Sequence, residues 1–138
     1  MTPEVTPEVV LAPYDYAVLR LVPRVEREEL CNVGVILFAR PRDFLDCALL
    51  SDDELGRRAR ALAPALDVAA VQRHLDALRA VCRGERAAGP IAALPRPERF
   101  HWLTAPRSTV LQPSPVHGGQ CADPTHTLQR LCAQLLQP

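Results

Sequence analysis

Apolar and polar positions alternate from Tyr14 to Val22, with Tyr14, Tyr16, Val18 and Arg20 on one side and Ala17, Leu19 and Leu21 on the other. A period of two predicts a strand, which Pro23 ends. After the charged turn Arg24 to Glu29, the run Leu30 to Ala39 is almost wholly apolar and β-rich, as expected of a central strand covered on both faces. Phe44 to Leu50 follows the Pro41-Arg42-Asp43 turn as a third strand, and connections this short imply antiparallel neighbours.

The period then changes. Ser51 and Glu54 have capping-box spacing, Asp52 and Asp53 place negative charge in a first helical turn, and Pro64 limits the helix. A second helix is predicted from about Asp67 to Arg83, where Val68, Val71, Leu75, Leu78 and Cys82 recur at spacings of three and four and Gly84 closes it. Ala87 to Pro97 reads as a surface loop, and Phe100 to Thr104 and Ser108 to Gln112 as two last strands around Ala105-Pro106. Asp123-Pro124 is an N-cap and first-position pair for a final helix with Leu128, Leu131, Cys132, Leu135 and Leu136 on one face. The fold class predicted is α+β: an antiparallel sheet of about four to five strands with three helices packed mainly on one face. Residues 1–12 read as a flexible N-terminal arm and 13–138 as a single domain.

Composition narrows the chemistry. Sixteen basic residues balance sixteen acidic ones, so no global field draws the chain toward nucleic acid or an anionic membrane. Every basic residue is arginine, which excludes lysine Schiff-base chemistry and lysine-dependent phosphate loops. No apolar run is long enough for a transmembrane helix and Glu4 and Glu8 stand where a signal peptide would be basic, so the expected location is cytoplasmic. The cysteines Cys31, Cys47, Cys82, Cys121 and Cys132 are odd in number and set mostly among apolar residues, as reduced buried thiols without a catalytic role. The arginines of the two helices, from Arg57 to Arg86, alternate with acids as a solvated face does, so nucleic acid is not an expected partner.

Candidate polar chemistry concentrates between Ala105 and Pro124, an irregular stretch rich in proline and glycine. Arg107 and Ser108 can cradle a phosphate or carboxylate, or Arg107 can instead anchor loop carbonyls. Arg20, alone in an apolar strand, snorkels to an edge or faces a polar cavity. Asn32 and Gly34 share a strand face where glycine allows close approach. Ser114, His117 and Asp123 have the residue types of a hydrolytic triad without a nucleophile-elbow motif, and Asp123 is most simply a helix cap. His117, Cys121, His126 and Cys132 lack a C-x-x-C pair, so no metal and no cofactor are assigned. The candidate ligand-binding residues are thus Arg20, Asn32, Arg107, Ser108, Ser114, His117 and Asp123, with Arg20, Asn32, Arg107, Ser108 and His117 lining an anion- or peptide-binding groove. In the rival reading, a metal-dependent enzyme acting on a phosphorylated or nucleic-acid substrate, Glu29, His117 and Asp123 are the acid, base or metal-binding groups.

The opening Y-D-Y-A-V-L-R-L-V-P-R, the E-E-L-C-N-V-G-V-I-L-F segment and the later A-P-R-S-T-V-L-Q-P-S-P-V-H-G-G with D-P resemble the bacterial family known as domain of unknown function 3037, from about Tyr14 to Leu136. Cys31 departs from the aromatic or aliphatic residue expected there. The resemblance implies an uncharacterised small protein without established activity. It further implies a place beside a kinase resembling the HipA toxin, and hence a partner or regulator rather than a stand-alone enzyme, with a homo-oligomer also open.

Overall fold

The alternating segment becomes the strand on which the rest of the sheet is assembled. In the computed structural model, which describes residues 9–24, 29–107 and 109–137, β1 (Ala12–Arg24) pairs antiparallel with β2 (Glu29–Ala39), and β2 pairs antiparallel with β3 (Phe44–Leu49). On the other side of β1 lie two short strands, β4 (Leu111–Pro113) against Leu19–Leu21 and β5 (His117–Cys121) against Ala12–Tyr16. The sheet has five strands, ordered β3-β2-β1, with β4 and β5 sharing the outer edge of β1. Ala12 belongs to β1 rather than to the arm, and the Val10 carbonyl just before it accepts a 2.6 Å hydrogen bond from Arg42. The rest of the predicted arm, residues 1–8, and most of the charged turn, residues 25–28, lie outside the described residues.

Four helices complete the fold: α1 (Asp52–Leu62), α2 (Val68–Cys82), α3 (Arg96–Thr104) and α4 (Pro124–Leu135). The predicted Ser51 cap forms, its Oγ accepting from the Glu54 amide, and Asp67 Oδ1 caps α2 by accepting from the Ala70 amide. Glu54 does not return the bond as a full capping box would; it pairs with Arg57 and Arg58 at 3.0 and 2.7 Å. Gly84 follows α2 at φ +70°, a left-handed conformation that glycine adopts without a Cβ penalty.

Two expectations are corrected. Phe100 to Thr104 is not a strand but the body of α3, because Pro95 at the N-cap and Pro97 in the first turn suit a helix start and the segment buries Phe100 and Leu103, three residues apart. The helices also do not gather on one face. Ile36, Phe38, Leu45 and Cys47 form one core with Leu55, Leu75, Leu78, Phe100 and Leu103, from α1, α2 and α3. Val35, Leu37 and Ala39, pointing the opposite way from the same strand, form a second core with Leu128 and Leu131 of α4 and Leu136 just after it. The nearly unbroken apolar run of β2 is the local cause: both faces are apolar, so both require cover.

Candidate binding site

The structure scatters most of the described candidate residues. Arg107 follows α3 and turns back on it, donating to the Leu103 and Trp102 carbonyls at 3.2 and 2.8 Å and stacking its guanidinium 4.5 Å from the centre of the Trp102 ring. It satisfies orphan carbonyls of a helix C-terminus, a role suited to a cation. Burial holds the pKa of Arg107 below its ordinary value, and burial together with the Arg107 charge depresses that of His74 on α2. Ser108 lies outside the described residues.

Ser114 occupies the gap between β4 and β5. Its Oγ accepts from the Val18 amide at 2.8 Å and donates to the Pro115 carbonyl at 2.9 Å, while its own amide donates to the Val18 carbonyl. His117 is exposed on β5, opposite Tyr16, with the two rings 5.4 Å apart. Tyr14 lies over Gly119, where an added Cβ would meet the phenol at about 2.5 Å. The Ala105 to Pro124 stretch thus contributes β4 and β5, a broken edge strand along β1.

Asp123 caps α4, its Oδ1 accepting from the Thr125 and His126 amides at 3.0 and 3.5 Å. Asp123→Ala is expected to lower stability by about 1 kcal/mol and Asp123→Asn by much less, as read by urea unfolding. Equal losses in the two variants would show that the cap bonds are not what Asp123 contributes. Glu29, the remaining residue of the rival reading, pairs with Arg24, whereas His117 pairs with Tyr16. Eight residues of strand separate those positions, roughly 26 Å. Glu29 and His117 therefore form no joint acid–base or metal site.

Arg20 and Asn32 do come together. They are cross-strand partners, and the register slips beside them: Leu19 faces Gly34 and Arg20 faces Asn32, so Val33 is the extra residue of a bulge. The bulge overturns the expectation that Asn32 and Gly34 share a face. Gly34 points toward Leu19 and Leu49 in the α1–α3 core, whereas Asn32 donates its side-chain amide to the Leu135 carbonyl of α4 at 2.9 Å. Arg20 lies on this second face, between the oppositely directed Leu19 and Leu21. Its Nε is buried with no hydrogen-bond partner among the described residues. Arg20 and Arg107 thus stand on opposite sides of the sheet and do not form one anion pocket.

Beside Asn32 the sheet is left incomplete. β3 ends at Leu49 opposite Gly34, and the Leu50 amide reaches the Val33 carbonyl at 2.9 Å. Among the described residues, Glu29 to Asn32 are therefore paired in the sheet with β1 alone. Their free edge opens into a cleft of about 490 Å³ lined by Leu30, Cys31, Asn32, Arg58, Leu62 and Gln137. Leu30 is 48 % exposed at its mouth. Arg58 is held by Glu54 through Nε. Burial pushes the Cys31 thiol up, partly opposed by Arg58, so Cys31 presents a neutral thiol rather than a nucleophilic thiolate.

Nearly all of this architecture, from Tyr16 in β1 to Leu136 after α4, falls inside one family model. The chain belongs to the DUF3037 family. That model, described as a protein of unknown function, matches residues 16–136 of the 138. No curated protein and no solved structure matches the chain. In this DUF3037 protein the cleft residues Arg58, Leu62 and Gln137 were not among the candidates, because each is unremarkable in its own helix or terminus. A signal was nevertheless present: the second predicted strand is longer than the third, so part of it had to run past its neighbour. No described helix is long and apolar enough to cross a membrane.

Proposed function

We propose that this DUF3037 protein is an interaction or regulatory module that binds an extended segment of a partner protein along the free edge of β2. The observation that carries this reading is the stretch Glu29 to Asn32, paired among the described residues with β1 alone, its other edge opening into a cleft with apolar walls. Strand edges present backbone donors and acceptors that an added strand satisfies, and flanking pockets then select its side chains. Leu30 and Leu62 suit an apolar side chain. Arg58 on one wall favours a carboxylate in the segment. The preferred ligand is therefore an extended peptide with apolar residues and an Asp, a Glu or a C-terminal carboxylate. A kinase resembling the HipA toxin is the partner that the family resemblance suggests.

The test is selection from a displayed library of short unstructured peptides, followed by titration of the winners against wild type and Leu30→Glu. Leu30 is exposed, so Leu30→Glu should leave the melting temperature unchanged while weakening an acidic peptide at least tenfold, about 1.4 kcal/mol. Bound peptide should also slow amide exchange within residues 29–32. Failure of the library to yield a binder, or winners indifferent to Leu30→Glu, would remove the proposal.

A further inference from the structure

A second site lies away from the cleft, where α2 ends against β3. Cys47 of β3, Cys82 of α2 and Asp46 of β3 bring two sulfurs and a carboxylate oxygen within 4.8 Å of one another. Among the described residues this is the one group of three histidine, cysteine, aspartate or glutamate side chains arranged so closely. All five cysteines of the chain are free thiols. We propose that Cys47, Cys82 and Asp46 bind a thiophilic divalent cation, Zn²⁺ by preference, and so tie the edge strand β3 to the last turn of α2.

Five features of the site support this. Tetrahedral Zn²⁺ with bonds of about 2.3 Å to sulfur sets its sulfurs about 3.8 Å apart, so donors already within 4.8 Å need to close by no more than about 1 Å. The carboxylate is oriented: Asp46 Oδ1 accepts from the Cys47 amide at 2.8 Å and from Arg83 Nε at 3.4 Å, as outer groups orient ligands in metal sites. Two thiolates and a carboxylate sum to three negative charges, and binding releases one proton from each thiol. The complex then carries one net negative charge, which the nearby Arg79 and Arg83 offset. Cys47 and Cys82 are buried, whereas the Asp46 side chain is 38 % exposed, which leaves an entry path and room for a water as fourth ligand. Two sulfur donors select against Mg²⁺ and Ca²⁺, which take oxygen.

The experiment uses the full reduced chain, titrated with Co²⁺ as a spectroscopic probe and then with Zn²⁺ in competition. One equivalent of Co²⁺ should give tetrahedral visible bands and a thiolate charge-transfer band, displaced by Zn²⁺. Both bands should be absent in Cys47→Ala and Cys82→Ala. The double variant Cys121→Ala/Cys132→Ala should retain them. Asp46→Asn changes a half-exposed side chain and so keeps the fold even if the buried variants do not; it should weaken Zn²⁺ by ~10-fold or more. Absence of tetrahedral Co²⁺ bands, unchanged affinity in Asp46→Asn, or bands that follow Cys121 and Cys132 would each overturn the site.

Discussion

Leu103→Ala is expected to destabilise the protein by about 2–5 kcal/mol, as measured by urea unfolding, because Leu103 is completely buried and its loss leaves a cavity among Leu75, Leu78 and Phe100. Its neighbour makes the comparison informative. Trp102 is the larger side chain, yet it is 36 % exposed on the outer side of α3 and carries Arg107 across its ring. Trp102→Ala should therefore cost less than Leu103→Ala, losing an exposed stacking interaction of ~0.5–1 kcal/mol and part of the ring's burial. A strand through this segment would bury Phe100, Trp102 and Thr104 together and reverse the order. The larger loss at Trp102 would thus refute α3 as described.

That segment shows where a short sequence loses its signal. Phe100 to Thr104 offers too few positions to separate a period of two from one of 3.6, and its aromatic residues favour a strand by propensity alone. The helix is decided upstream, by Pro95 and Pro97, and by the core that Leu103 enters across α2. Long elements with strong punctuation behaved differently. Ser51 and Asp123 each cap the helix as predicted, and the Tyr14 to Val22 alternation sorts side chains to the two faces as expected. Local chemistry suffices there, because a cap or a period of two is satisfied within a few residues.

The site was less legible, for a related reason. Arg20 and Asn32 could each be singled out as polar residues in apolar strands, but their pairing depends on the bulge at Val33, which shifts every later residue of the register by one. Gly34 in N-V-G-V is compatible with a bulge but does not fix where the register slips. The cleft beside them draws Arg58 and Leu62 from α1 and Gln137 from beyond α4, positions joined only by the packed fold. Conversely, the clustering of Arg107, Ser114, His117 and Asp123 along the chain suggested a site because they are close in sequence. In the structure each described member of that group satisfies a different local need: a helix C-terminus, an interrupted strand edge, an aromatic neighbour and a helix N-terminus.

Ser114→Ala should be the most damaging of the changes to those polar residues. β4 covers β1 from Leu19 to Leu21 and β5 covers it from Ala12 to Tyr16, so the edge strand is interrupted beside Val18. Ser114, Pro115 and Val116 must bridge the interruption, and Pro113 and Pro115 have no amide to contribute. Ser114 supplies both partners that Val18 requires, the hydroxyl for its amide and its own amide for its carbonyl, in a place where Ser114 is only 3 % exposed. Removing the hydroxyl leaves the buried Val18 amide unsatisfied, at an expected cost of about 1–3 kcal/mol. Hydrogen exchange should show it at that residue: the Val18 amide should lose roughly tenfold or more in protection, since ~1.4 kcal/mol corresponds to a factor of ten. Stability within 0.5 kcal/mol of wild type, with Val18 still protected, would mean that the hydroxyl is dispensable to the edge. The same bonds bear on chemistry. The single hydroxyl proton of Ser114 is directed to the Pro115 carbonyl, and no histidine stands within the hydrogen bonds of that hydroxyl. Nothing there draws the proton away, so Ser114 holds the sheet edge together and is not poised as a nucleophile.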